Sequence, residues 1–288
     1  MRRRAFTGIL AALTLASAGW VAAQTVKLPN TDGDVKFAVI GDTGSGDKAQ
    51  FELATQMVKS RAGFKFDRVI MLGDNIYGGQ TAQDLDKKFA QPYKDLVSAG
   101  VDFYAALGNH DSQNNRNYPP FHMNGERFYT HVMKNVRFFV LDTDQLDPKQ
   151  QAWLDGALKA ATEPWKIVYF HHPLYSDGAT HGSDVNLRVV LEPIFVKYGV
   201  SVVFTGHDHI YERIIPQKGI THFVVGSSGQ LRTGDYQKSA MSAAGYDGDY
   251  VFLLAEINGN DMTFQAITRT GQVVDSGVVH VVAPKAGL

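Results

Sequence analysis

The chain has 288 residues, 44% of them hydrophobic, which is ample for a large core, and no cysteine, which excludes disulfides and thiolate metal sites. Its 28 basic and 29 acidic residues nearly balance; setting aside three arginines at the start leaves 25 basic against 29 acidic and a net charge of −4. With that mild acidity and no long basic run, nothing in the composition supports nucleic-acid backbone binding.

Residues 1–23 read as a secretory signal peptide. Arg2, Arg3 and Arg4 form a basic start, Ile9–Ala18 an apolar core, and Val21-Ala22-Ala23 a small-residue cleavage site. The apolar run is too short and weak for a membrane span. Arg3-Arg4-Ala5-Phe6 also resembles the twin-arginine export signal, although an ordinary basic region reads the same way. The expectation is an exported protein, periplasmic or extracellular, with residues 24–288 as a single domain.

Strands and amphipathic helices then alternate, which argues for α/β layering. Val35–Ile40 reads as a buried strand and ends at Gly41-Asp42-Thr43-Gly44; the helix Asp47–Arg61 follows. Val69–Leu72 runs into Gly73-Asp74-Asn75-Ile76-Tyr77 and a helix over Gln83–Ser98. Phe103–Leu107 leads to Gly108-Asn109-His110-Asp111 and an irregular segment to Asn124. Beyond the helix Pro148–Ala161, Ile167–Phe170 ends at His171-His172-Pro173. After the helix Val185–Lys197, Val200–Thr205 ends at Gly206-His207-Asp208-His209. From about residue 219 the pattern becomes β-rich, with strands at Thr221–Val225, Tyr250–Ile257, Met262–Thr268 and Gln272–Val282, and Asn258-Gly259-Asn260 as a hairpin signal.

Five clusters of carboxylate, amide, imidazole and phenol groups thus sit at five strand ends, the rim where α/β sheets bind ligands. Each alone reads equally as turn chemistry; together they are best explained by a two-metal site with O and N donors. The glycines before Asp42 and Asp74 are expected to let the backbone turn sharply. Period-two spacing in an extended His207-Asp208-His209 would send both imidazoles one way and Asp208 the other. Glu212 and Arg213 read as a structural ion pair, and His122, His131, His222 and His280 have no partner pattern.

The ordered set resembles the binuclear metallophosphoesterases and, within them, the purple acid phosphatases of the small, mammalian-like size class. It covers roughly residues 35–230. Most metallophosphoesterases open with Asp-x-His; here Asp42-Thr43-Gly44 lacks that His, and Tyr77 stands where the purple acid phosphatases supply a phenolate. The resemblance implies a four-layer αββα sandwich of two mixed β-sheets flanked by helices. It implies a first metal, Fe(III), held by Asp42, Tyr77 and His209, and a second, Zn(II), Fe(II) or Mn(II), held by Asn109, His171 and His207, with Asp74 bridging. It also implies that His110 and His181 reach the phosphate or its leaving oxygen, while the role of His172 stays open. The expected activity is hydrolysis of small phosphomonoesters at mildly acidic pH by a metal-activated water, with inorganic phosphate as product or inhibitor. A phosphodiesterase or nucleotidase on the same metals is the alternative, and a non-catalytic metal-stabilised binding protein is the third reading.

Overall fold

The computed structural model describes residues 27–282, so the expected leader lies outside the described residues. Among the described residues, thirteen strands form two mixed sheets. The first has the order β13 (Val273–His280), β12 (Asp261–Thr268), β11 (Val251–Asn258), β1 (Val35–Ile40), β2 (Arg68–Met71) and β3 (Asp102–Ala105). The second has β10 (Ser242–Tyr246), β8 (Tyr211–Ile214), β9 (Thr221–Val225), β7 (Val202–Thr205), β6 (Trp165–Tyr169), β5 (Val136–Val140) and β4 (Tyr129–Met133). β1, β2 and β3 are parallel, as are β5, β6, β7 and β9; the other pairings are antiparallel.

Strand alternation builds the layers. Val35, Phe37 and Val39 of β1 join Phe138, Ile167 and Phe204 in the core between the sheets. Their neighbours Ala38 and Ile40 face outward, onto Leu53 and Met57 of α1 (Lys48–Gly63). On the far side, Phe139 and Val168 meet Leu154 of α4 (Pro148–Ala160) and Phe195 of α5 (Val185–Tyr198). The expected helix–sheet–sheet–helix sandwich is therefore the fold. Among the described residues, no helix is long and apolar enough to cross a membrane.

Two local departures have physical causes. The helix expected over Gln83–Ser98 is present but carries a π-helical turn at Asp86–Ala90 between α2 (Ala82–Leu85) and α3 (Gln91–Ser98). Pro92 has no N–H for the carbonyl of Lys88, and Gln50 Nε2 donates to that oxygen instead, at 2.7 Å. The β4–β5 hairpin, absent from the strand pattern, turns through Lys134 in the left-handed region (φ 54°), with no glycine to mark it.

Candidate metal centre

The parallel strands of both sheets deliver their C-terminal loops to one rim. Two side chains tie the sheets together there. Asp42, beyond β1, accepts from the His207 N–H at 2.9 Å, and His171, beyond β6, meets the Leu72 carbonyl through Nδ1 at 2.9 Å. Asp42, Asp74 and His207 all have left-handed backbones (φ 54°, 51° and 72°). Three non-glycine residues in that region cost about 1–3 kcal/mol each, strain that persists only where the surroundings enforce it.

Gly73 makes the expected sharp turn (φ 93°), whereas Gly41 has no left-handed torsion and the turn there is made by Asp42 itself. Other glycines contribute through space. A Cβ on Gly108 would lie 2.3 Å from Asp74 Oδ1, and one on Gly206 would lie 2.3 Å from Asp42 Oδ2. Gly206→Ala is accordingly expected to displace Asp42, lowering bound metal and kcat/KM by roughly 10²-fold, the size of effect a small misplacement of a reacting group produces. Gly156→Ala, on α4 with open space around it, is the control expected to leave both unchanged. Metal analysis and steady-state kinetics on the two variants check the contrast.

The side chains gather into two adjoining groups. In one, Tyr77 Oη lies 3.1 Å from Asp42 Oδ1 and 3.2 Å from His209 Nε2, which is 3.5 Å from Asp42 Oδ1. In the other, His171 Nε2 lies 3.0 Å from Asn109 Oδ1, 3.1 Å from His207 Nδ1 and 3.5 Å from Asp74 Oδ2. Asp74 joins the groups: one donor atom from each of Asp42, Asp74 and His171 falls within a 4.8 Å cluster. All seven expected metal-binding residues thus converge.

Their electrostatics are unresolved by protein alone. Asp42 and Asp74 are buried, and burial raises both carboxyls above their usual range, with the charge of Asp74 raising Asp42 further; burial and the charges of both carboxylates raise the Tyr77 phenol. Burial holds His171 well below its ordinary value and lowers His207 to about 2 and His209 to about 4. The Leu72 carbonyl can only accept, so His171 carries its proton on Nδ1. Its Nε2 lone pair then faces the Asn109 oxygen, His207 Nδ1 and the Asp74 carboxylate. Lone pairs converging in this way suit a cation. Asp42, Asp74, Tyr77 and His209 supply the harder, anionic set; Asn109, His171 and His207 supply the more neutral one.

The two histidines expected to meet substrate flank this cluster. His110 is exposed, its ring 4.8 Å from that of Tyr77 and its Nε2 4.0 Å from Asp74, while its backbone N–H donates to Asp74 Oδ1 at 2.8 Å. His181 is exposed with its ring 4.1 Å from that of His207. His172 hydrogen-bonds Thr143 Oγ1 at 2.9 Å, with its ring 4.4 Å from His207.

Residues 207–209 do not form the extended segment expected of them. Asp208 N donates to Gly206 O (2.9 Å) and Ile210 N to Asp208 O (2.7 Å), two successive tight turns that send His207 and His209 to different groups. Asp208 does face away, accepting from the Gly182 N–H at 3.2 Å and so holding the loop that carries His181. Glu212 and Arg213 do not pair with each other: Arg213 binds Asp275 at 2.7 Å, and Glu212 accepts from the Asp177 N–H at 2.8 Å. Asp111 is an organising residue that the motif pattern did not single out. Its buried carboxylate accepts from the backbone N–H groups of Asn75, Ile76 and Gly108 (3.1, 3.1 and 3.0 Å), clamping the Asp74 loop to the Asn109 loop. Its position directly after Asn109-His110 was the available signal.

Comparison with known proteins agrees with this architecture. The calcineurin-like phosphoesterase family matches residues 35–211. Human tartrate-resistant acid phosphatase type 5 is 27% identical, covering 86% of this chain and 93% of its own length. Purple acid phosphatase 17 of Arabidopsis thaliana is 27% identical over 69% of each chain. Among solved structures, a purple acid phosphatase from yellow lupin (Lupinus luteus) seeds superposes with a TM-score of 0.71 at 18% identity, over 88% of this chain and 55% of that one. The anchor protein of the Plasmodium inner membrane complex superposes with 0.75 at 19% identity, over 88% and 90%. These two structures share the fold, which by itself does not separate an enzyme from an anchor; the donor set has to.

Proposed function

The chain belongs to the calcineurin-like phosphoesterases, and we propose that it is an exported acid phosphatase that hydrolyses small phosphomonoesters at a binuclear metal centre. The observation that carries this reading is the convergence of Asn109 Oδ1, His207 Nδ1 and Asp74 Oδ2 on His171 Nε2, at 3.0, 3.1 and 3.5 Å, a set of O and N donors suited to a cation. Asp42, Tyr77 and His209 would hold Fe(III); Asn109, His171 and His207 would hold Zn(II), Fe(II) or Mn(II); Asp74 would touch both. Cations bound there supply Lewis acidity toward phosphoryl oxygens and make a bound water acidic enough to react near neutral pH.

The chain's own groups do the rest. Asp74, fastened by the His110 N–H, keeps the two donor groups in register. Tyr77, His110 and His181 edge the opening of the site, where the two exposed imidazoles can stabilise charge on the phosphoryl group or protonate the leaving oxygen. The leader at residues 1–23, through the twin-arginine or the general route, would carry the protein out of the cytoplasm, single-domain from residue 24 onward. Complete chelation should abolish turnover of p-nitrophenyl phosphate, and readdition of iron with zinc or manganese should restore it. Metal-loaded protein without phosphatase activity would favour the non-catalytic reading, and faster turnover of the bis-ester would favour the diesterase.

His110→Ala and His181→Ala are expected to keep both metals while slowing kcat, by roughly 10²–10⁴-fold for a positioned acid or charge-stabilising donor. The backbone bond from residue 110 to Asp74 survives the His110 substitution, so metal content separates chemistry from assembly. If His181→Ala were silent and His172→Ala crippling, the two histidines would exchange roles.

A further inference from the structure

Lys88 is a charged residue turned inward, only 9% exposed. Its Nζ lies 2.6 Å from the Tyr77 carbonyl, 2.9 Å from Asp84 Oδ1 and 3.2 Å from the Gly79 carbonyl, so its three N–H groups meet three acceptors. Asp84 is itself held, its Oδ2 accepting from the Thr81 N–H at 3.0 Å and from Thr81 Oγ1 at 2.7 Å. On its other side, the Tyr77 N–H donates to the Gly44 carbonyl at 3.0 Å. Gly78 and Gly79 follow Tyr77, two residues with little conformational preference of their own. The ammonium of Lys88 supplies the fixed point there.

The backbone of Lys88 is tied to the loop that carries Asp42. Lys88 sits in the π-helical turn at Asp86–Ala90, a kind of turn common at functional sites, and its carbonyl accepts from Gln50 Nε2 at 2.7 Å. Gln50 is fully buried, and its Oε1 accepts from the Gly46 N–H at 2.8 Å, in the loop that Asp42 begins. A Cβ on Gly46 would lie 3.0 Å from Lys88 Cγ, so the two segments also pack directly. One residue thus joins, through its carbonyl and its ammonium, the two loops whose Asp42 Oδ1 and Tyr77 Oη stand 3.1 Å apart. A buried ammonium is costly to desolvate, so its net gain in stability is small even with all three bonds made. What the ammonium adds is the placement of the Tyr77 backbone. We infer that Lys88 is a positioning residue for the first metal position, setting where the Tyr77 phenol stands relative to Asp42. This rests on the reading of Tyr77 as a donor to that metal and deepens it.

Lys88→Met keeps the stem and removes the ammonium, while Lys88→Arg keeps charge and donors. Iron affinity, measured by competition with a chelator, should fall about 10- to 100-fold in Lys88→Met, the usual effect of losing a group that orients a metal ligand. The visible absorbance from Tyr77 to Fe(III) should also fall per bound iron in the oxidised protein. Lys88→Arg should restore a large part of both. In a Tyr77→Phe background, Lys88→Met should cost little further iron affinity, because the ammonium acts through the phenol. Should Lys88→Met fail to fold, Lys88→Gln, with a shorter arm that still donates, carries the same test. Wild-type affinity and colour in that variant would overturn the inference. So would an equal loss of affinity with and without the phenol, which would make Lys88 a support for the loop at large. Wild-type protein that holds iron yet is colourless would instead defeat the reading of Tyr77 itself, and the inference with it.

Discussion

Asp74→Asn is expected to empty both metal positions and to lower turnover by roughly 10⁴-fold or more, the size seen when one member of a catalytic unit is deleted. The geometry makes Asp74 the joint of the centre. Its Oδ2 lies 3.5 Å from His171 Nε2, its Oδ1 accepts from the His110 N–H at 2.8 Å, and Asp42 shares its cluster. A carboxylate can offer one oxygen to each of two cations, whereas an amide offers one oxygen and an N–H that repels the second. Asn is chosen over Ala because residue 74 has φ 51°, a conformation Asn tolerates better than Ala, so a folding defect is not mistaken for lost chemistry. The measurement is metal stoichiometry beside kcat. Two metals per chain with near-normal turnover would remove Asp74 from the bridging position.

The strand ends were legible because each couples an apolar run to a donor cluster, four of the five through a glycine, as at Val35–Ile40 with Gly41-Asp42, and β1 has the bounds the pattern predicts. What could not be read is whatever depends on contacts between sheets. Nothing local to Gly206 shows that its lack of a side chain serves Asp42, more than 160 positions away, whose Oδ2 fills the space. Asp111 looked like the tail of a motif; its carboxylate turns out to hold two loops together. β4, β5, β8 and β10 escaped because runs of only four or five residues carry too few alternations to stand out from a loop.

The phenol gives the most direct test of what the first metal position holds. Oxidised, iron-loaded protein is expected to be coloured by charge transfer from Tyr77 to Fe(III), and Tyr77→Phe to bleach it completely. In the protein as it stands, burial and the charges of Asp42 and Asp74 push the Tyr77 phenol far above its ordinary value, so nothing local favours phenolate. Its hydroxyl instead lies against Asp42 Oδ1 at 3.1 Å and His209 Nε2 at 3.2 Å. A strongly charged, hard cation between those three atoms would reverse that preference, and the Fe(III) proposed above is of that kind. Phenylalanine keeps the ring against His110 and removes one oxygen, so packing is preserved while the donor is lost. Turnover should fall less than for Asp74→Asn, because the carboxylates and His209 remain. The readout is the visible spectrum with iron content measured on the same sample. Wild-type protein that holds iron yet stays colourless under oxidising conditions would take Tyr77 out of the first metal's shell and leave Asp42, Asp74 and His209 to hold it alone.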